Sequence, residues 1–227
     1  MIIQFRFFIV SSIFYLMSQS TFAAPNFILV LTDDHGWSSF SAPMDKTRPE
    51  AKSDYYQTPN MDALLNMGMR FSNGYAAAPV CSPTRYSIQF GKTPARLQRT
   101  RVIGKNRADH NQVAIPQVLK AIDPSYRAAH IGKWHIDADP ERYGYDLHDG
   151  NTKNKEAGFD NGDRSRQWDG YAEDDPKRVH SITARAIEFM RDSVDKDQPF
   201  FLQLSHYAVH SNIVYSESSY ANVGKRE

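Results

Sequence analysis

Asn26-Phe27-Ile28-Leu29-Val30-Leu31-Thr32-Asp33-Asp34 is a run of apolar residues, β-branched in part, closed by a threonine and two carboxylates. A short continuous run of this kind predicts a strand buried in a parallel sheet. Working outward, Pro199-Phe200-Phe201-Leu202-Gln203-Leu204-Ser205 has the same form, and Tyr126 to Gly132 predicts a further strand. Helix signals lie between them. Thr58-Pro59 supplies an N-cap and a first helical residue, with Leu64, Leu65 and Met69 expected to face the core. Ser82-Pro83 repeats that signal and opens a helix through Ile88, stopped by Gly91 and Pro94. Ile115-Pro116 opens another, with Val118, Leu119 and Ile122 apolar, while Val179, Ile182, Ala186, Phe189 and Met190 have helical spacing. Phe71 to Ala78 reads as a short strand. The Gly-, Asp- and Asn-rich stretch from Asp137 to Asp175 reads as an extended loop region over the sheet edge. Strands alternating with helices predict an α/β fold with a mostly parallel central sheet and helices on both faces.

In such sheets ligands sit beyond the carboxyl ends of the strands. That rule selects Asp33-Asp34, Lys133-Trp134-His135 and the segment from His206 to His210. Adjacent carboxylates repel unless a cation sits beside them, so Asp33 and Asp34 are candidate ligands for a hard divalent ion; a solvated turn is the other reading. Cys81 stands just before a helix start with Arg85 in the first turn. Unpaired helix N–H groups and a guanidinium fork suit an anion there, and a thiol there is expected to be reactive. The alternative is a small buried hydrophobe. Lys133 and His135 fall on one side of an extended segment and could meet one anion, or simply end a strand in solvent. Either His206 or His210 could protonate a leaving group, and the spacing does not choose between them. From the residues alone this is a hydrolase or transferase acting on a sulfate or phosphate ester.

Charge narrows the partners. With 27 basic and 26 acidic residues well mixed, the formal net charge is +1 and no basic stripe marks a nucleic-acid surface. Residues 1–24 carry Arg6, an apolar run from Phe7 to Met17 and small residues ending at Ala23-Ala24, the layout of a secretory signal peptide cleaved near Ala23 or Ala24. The run is short for a membrane span, so stable membrane insertion is not expected. The mature chain, residues 25–227, is expected to be exported to the periplasm or beyond. Its single cysteine, Cys81, can close no intramolecular disulfide there, and so needs another explanation.

Taken together, these segments resemble the sulfatase family of the alkaline phosphatase superfamily. Cys81-Ser82-Pro83-Thr84-Arg85 is similar to that family's C-x-P-S/T-R signature, and Gly91-Lys92-Thr93-Pro94 to the G-R-x-P that follows. Asn26 to Asp34 resembles its opening strand, Thr58-Pro59-Asn60-Met61-Asp62 its TPNLD helix start, and Gly132-Lys133-Trp134-His135 its GKWH segment. Pro199 to His210 looks like its strand ending in a histidine. The resemblance implies that a maturation enzyme oxidises Cys81 to formylglycine. One hydroxyl of the hydrated aldehyde then attacks sulfur, and the other expels sulfate. It further implies that Asp33, Asp34 and the modified Cys81 are metal ligands, with calcium expected and magnesium as the alternative. Arg85 supports the nucleophile and Lys133 binds sulfate. His135 hydrogen-bonds the nucleophile region, and His210 holds sulfate or protonates the leaving oxygen; His206 is structural. The implied substrate is a sulfated sugar, polysaccharide or aryl sulfate. Val209 and Ser211-Asn212 depart from the family's frequent Pro and Thr-Pro. The family's later Asp-Asn ligands, sulfate-binding lysine and C-terminal domain have no counterpart before Glu227. The chain therefore reads as the N-terminal part of a sulfatase, incomplete at its C-terminus, with little or no turnover expected from it alone. A phosphate or phosphonate ester hydrolase of the same superfamily and a non-catalytic remnant are the other readings.

Overall fold

The computed structural model describes residues 24–102, 111–157, 170–223 and 225. All but the last residue of the expected signal peptide lies outside them. Four parallel strands form the central sheet in the order β1-β5-β2-β3: β1 (Phe27–Leu31), β2 (Arg127–Gly132), β3 (Leu147–His148) and β5 (Phe200–Ser205). Two short strands, β4 (Tyr171–Ala172) and β6 (Val214–Tyr215), pair separately. The helices are α1 (Pro59–Met67), α2 (Cys81–Phe90), α3 (Ile115–Ile122), α4 (Val179–Asp195) and α5 (Glu217–Val223).

The period of two along β5 builds two cores. Phe200, Leu202 and Leu204 point to one face and pack with Ala129 and Ile131 of β2 against Ile182, Ala186 and Phe189 of α4. Phe201 and Ala128 point to the other face, where Tyr86 and Phe90 of α2 meet Trp134, Tyr143 and Tyr145. Helix, sheet, helix is therefore the layering, as expected from the alternation of elements. Gln203 interrupts the apolar run on the α2 side, yet it is buried without a polar debt. Its amide oxygen accepts from Gln89 Nε2 and, at 2.9 Å, from Tyr145 Oη, while its Nε2 donates to Ser205 Oγ at 3.2 Å.

Three expectations fail here. β1 forms, but among the described residues it is an edge strand bonded only to β5, with Ile28 and Val30 more than half exposed. An apolar run specifies a strand; it does not specify that both faces are covered. α1 begins at Thr58-Pro59 as expected, yet none of its residues is buried, and Leu64 and Met69 face outward. Its start is fixed by polar contacts instead, with Asp62 accepting from Thr58 Oγ1 at 3.0 Å and from Ser41 Oγ at 2.7 Å. The stretch from Phe71 to Ala78 forms turns and bends instead of a strand. The long loop region is broken by short 3₁₀ turns and by β3 and β4.

His130, at the centre of β2, is fully buried, and among the described residues neither ring nitrogen has a hydrogen-bond partner. It packs edge-on against Trp134 and Tyr145, with ring centroids 4.7 and 5.7 Å away. Burial, reinforced by the Arg85 charge, drives its pKa well below the usual 6.5. The folded state thus holds it neutral while the unfolded chain protonates it below about pH 6.5, so its contribution to stability is lost as pH falls. His130→Phe keeps the aromatic packing and removes that linkage. It is expected to leave the melting temperature at pH 7.5 nearly unchanged and to stabilise the protein by about 2 kcal/mol at pH 5. Parallel melts of both proteins across that range check it; equal acid sensitivity would refute it.

Candidate active site

Every chemical group singled out in the sequence lies at the carboxyl edge of the sheet. β1 delivers Asp33 and Asp34, β2 delivers Lys133 and His135, and β5 leads to His206 and His210. The edge is stitched by backbone. His206 N donates to Leu31 O at 2.8 Å, Lys133 N to Ser205 O at 2.8 Å, and Asp33 exchanges bonds with Ala208 O and Val209 N at 2.8 and 2.7 Å. Gly132 makes the close passage possible. At its φ of +99°, a Cβ would lie 2.1 Å from Ser205 O, so any side chain there would push β2 off β5.

Cys81 is the first residue of α2, not the residue before it, and Val80 occupies the N-cap with extended dihedrals. Pro83 therefore sits two residues inside the helix start, still within the first turn where its missing N–H costs nothing. Thr84 fixes the incoming chain, donating to Ala78 O at 2.8 Å and accepting from Ala78 N at 3.2 Å. Cys81 is half-buried and lines a cavity of about 260 Å³ together with Asp33, Asp34, His35, Thr84 and Arg85.

Asp33 is the electrostatic centre. Only 5% exposed, it accepts from the ammonium of Lys133, which is fully buried, and lies 3.7 Å from the guanidinium of Arg85, itself 3% exposed. Arg85 also donates to the backbone carbonyl of Lys133, which locks α2 to the end of β2. Burial lowers the Arg85 pKa, opposed by the Asp33 charge. Asp34, in the left-handed region at φ 56°, turns outward to solvent with its carboxylate 3.7 Å from His210 Nε2. His210 Nδ1 is 2.6 Å from Ser211 O.

His135 also has a positive φ, 58°, and burial beside Lys133 and Arg85 lowers its pKa to about 3. The imidazole is thereby held neutral, and the fixed positive charges beside it are Lys133 and Arg85. His206 is likewise depressed by burial, and its Nδ1 is buried with no partner.

Two residues escaped the sequence reading. Thr152, inside the long loop region, props the whole Gly132–His135 segment. Its hydroxyl accepts from Trp134 N at 2.9 Å and donates to Gly132 O at 2.6 Å, and its carbonyl accepts from His135 N at 2.9 Å. Lys177, just before α4, is 5% exposed; burial depresses its ammonium in the combined field of Glu173, Lys133 and Asp33. Nothing in the local pattern of either residue announces this, since both act across distant segments.

The divalent site does not assemble from these residues. Among the described residues no group of three or more His, Cys, Asp and Glu side chains could hold a metal ion. Calcium takes six to eight oxygens, whereas here Asp33 is already neutralised by Lys133 and Asp34 stands apart beside His210. The chemistry that the arrangement does support is the holding of an anion by Arg85 and the α2 N-terminus beside Cys81.

The family described as Sulfatase matches residues 25–226. The chain is 25% identical to the human N-acetylgalactosamine-6-sulfatase, over 89% of this chain and 42% of that protein. It is 31% identical to the N-acetylglucosamine-6-O-sulfatase of Bacteroides thetaiotaomicron, over 83% of this chain and 31% of the other. It thus spans well under half the length of these relatives. Among solved structures, that of BT4656 in complex with its substrate D-glucosamine-2-N,6-O-disulfate superposes with a TM-score of 0.59 at 27% identity, covering 82% of this chain and 35% of that one. Ps i-CgsB shares the fold with a TM-score of 0.69 at 22% identity, over 88% and 49% of the two chains.

Proposed function

The chain belongs to the sulfatase family, and from that premise we propose that it carries the nucleophile and sulfate-holding half of a sulfuric ester hydrolase acting on sulfated sugars. The observation that supports this most is one pocket that gathers Cys81, Arg85, Asp33 and Asp34 from two distant segments of chain. The choice of sugar substrates follows the relatives' own names, which specify hexosamine 6-sulfates.

In this reading Cys81 is converted to formylglycine by a maturation enzyme, and its hydrate supplies the attacking hydroxyl. Arg85 and the N–H groups at the start of α2 stabilise negative charge that develops on the sulfate oxygens. Lys133 adds a second fixed charge behind Asp33. His135, neutral and without a partner at Nδ1, is available to hydrogen-bond the hydrated aldehyde. His210, 3.7 Å from the Asp34 carboxylate, is assigned the leaving oxygen in this reading. A calcium or magnesium ion would add Lewis-acid polarisation of the ester. Asp33 and Asp34 alone do not complete its site, and no step above depends on it. The leader-like residues 1–24 support export, the compartment in which an unmodified lone thiol is least useful.

The direct test is the state of residue 81. After co-expression with a formylglycine-generating enzyme, mass spectrometry of the tryptic peptide ending at Arg85 should show the thiol replaced by an aldehyde, and a hydrazide probe should label it. A peptide that remains a thiol under those conditions argues for a non-catalytic anion-binding protein instead. Relative rates on a matched aryl sulfate and aryl phosphate separate the sulfatase reading from the phosphate ester one.

A further inference from the structure

Beside the first pocket lies a second cleft of about 270 Å³, whose lining includes Trp37, Asp45, Arg48, Asn73 and Tyr75. Their linings adjoin along the chain. Trp37 follows His35 by two residues, Tyr75 directly precedes Ala76, and both His35 and Ala76 line the first pocket. The turn carrying Trp37 is held in place by Ser39 N donating to Gly36 O at 3.0 Å, and by the His35 ring packed 4.7 Å from that of Phe40.

Trp37 and Tyr75 are 38% and 87% exposed, so each offers an aromatic face to the cleft or to solvent. Single exposed aromatics are ordinary on a protein surface. This pair is different because polar groups with spare capacity share the cleft. Arg48 spends only its Nε, on Glu50 at 3.4 Å, and its two terminal nitrogens make no hydrogen bond among the described residues. Asp45 spends Oδ1 on Thr47 N and Oγ1, both at 2.8 Å, which leaves Oδ2 as an acceptor. Asn73 donates to Ser72 Oγ at 3.3 Å and keeps its carbonyl oxygen. A pyranose ring has an apolar C–H face and a rim of hydroxyls. Aromatic side chains take the first, and carboxylate and amide oxygens the second. A guanidinium with a free fork takes a sulfate or carboxylate bidentately.

We propose that this cleft is a second saccharide subsite, which seats the neighbouring, anionic unit of a sulfated oligosaccharide while the first pocket holds the ester to be cleaved. The inference rests on the sulfated-sugar reading above and extends it: the preferred ligand is an oligomer, not a monosaccharide. Linking two weak contacts through one molecule raises affinity through effective concentration without a new contact in the first pocket.

The test is equilibrium binding by saturation-transfer NMR and calorimetry, on a Cys81→Ala background that removes turnover. The probes are glucosamine 6-sulfate and a sulfated tetrasaccharide carrying that unit at its non-reducing end. The tetrasaccharide should bind at least about tenfold more tightly. Trp37→Ala and Arg48→Gln should each reduce that preference, and the double variant should abolish it, with monosaccharide binding unchanged throughout. Trp37→Phe should retain most of it. Equal affinity for the two probes, or a preference that survives the double variant, overturns the subsite while leaving the sulfated-sugar reading intact. Binding of neither probe by the parent overturns both.

Discussion

Lys133→Met is expected to lower the melting temperature by on the order of 10 °C at pH 7.5. The lysine is fully buried, and its ammonium is the closest partner of Asp33, a carboxylate only 5% exposed. Methionine fills a similar volume, so the loss is electrostatic and not one of packing. Removing one member of a buried pair leaves the other charge uncompensated, at a cost of about 3–5 kcal/mol. The low end of that range applies here, because Arg85 remains 3.7 Å away and can take part of the charge. The same argument fixes the control. Asp33→Asn combined with Lys133→Met removes both charges but also strips Arg85 of its carboxylate, so it should recover only part of the lost stability. A single variant that melts within about 2 °C of the parent, or a double variant no better than the single, would show that the pair does not hold the sheet edge together.

This ion pair marks the boundary between what the sequence discloses and what it cannot. Lys133 and Asp33 were both legible as strand-end residues, because a short apolar run followed by polar residues identifies a strand and its carboxyl end. Their contact with each other was not, since it depends on β1 and β2 lying on either side of β5. The same limit explains the other surprises. The alternation of Phe200, Phe201, Leu202 and Leu204 prescribes two faces, yet nothing in it says that Gln203 will find Gln89 and Tyr145. β1 has as apolar a sequence as β5 but lies at an edge, so identical patterns end in different burial. Thr152 looks like loop composition and acts as the prop of the Lys133–His135 segment. Local periodicity reports on what a residue's own element does. Site geometry is a property of which elements become neighbours.

Cys81→Ala carries the largest functional expectation: complete loss of the aldehyde, and of whatever sulfate release the matured parent gives. Sulfate release is best followed with protein in excess over substrate, so that even slow transfer to residue 81 is counted. The size follows from the proposed chemistry. With formylglycine, one carbon carries both the hydroxyl that attacks sulfur and the hydroxyl whose deprotonation expels sulfate, and alanine offers neither. Arg85, Lys133 and the α2 N-terminus stay in place around an alanine, because Cys81 lies at the helix start and its side chain makes no hydrogen bond among the described residues. Anion binding should therefore persist when catalysis is gone, and inorganic sulfate should still protect the Cys81→Ala protein against thermal unfolding. That combination separates a nucleophile from a structural residue. If Cys81→Ala released sulfate at the parent's rate, the nucleophile would have to lie elsewhere and position 81 would be a packing cysteine. If it lost sulfate binding as well as turnover, the thiol-derived group would be holding the anion instead of attacking it, and the role assigned here to Arg85 and Lys133 would fall with it.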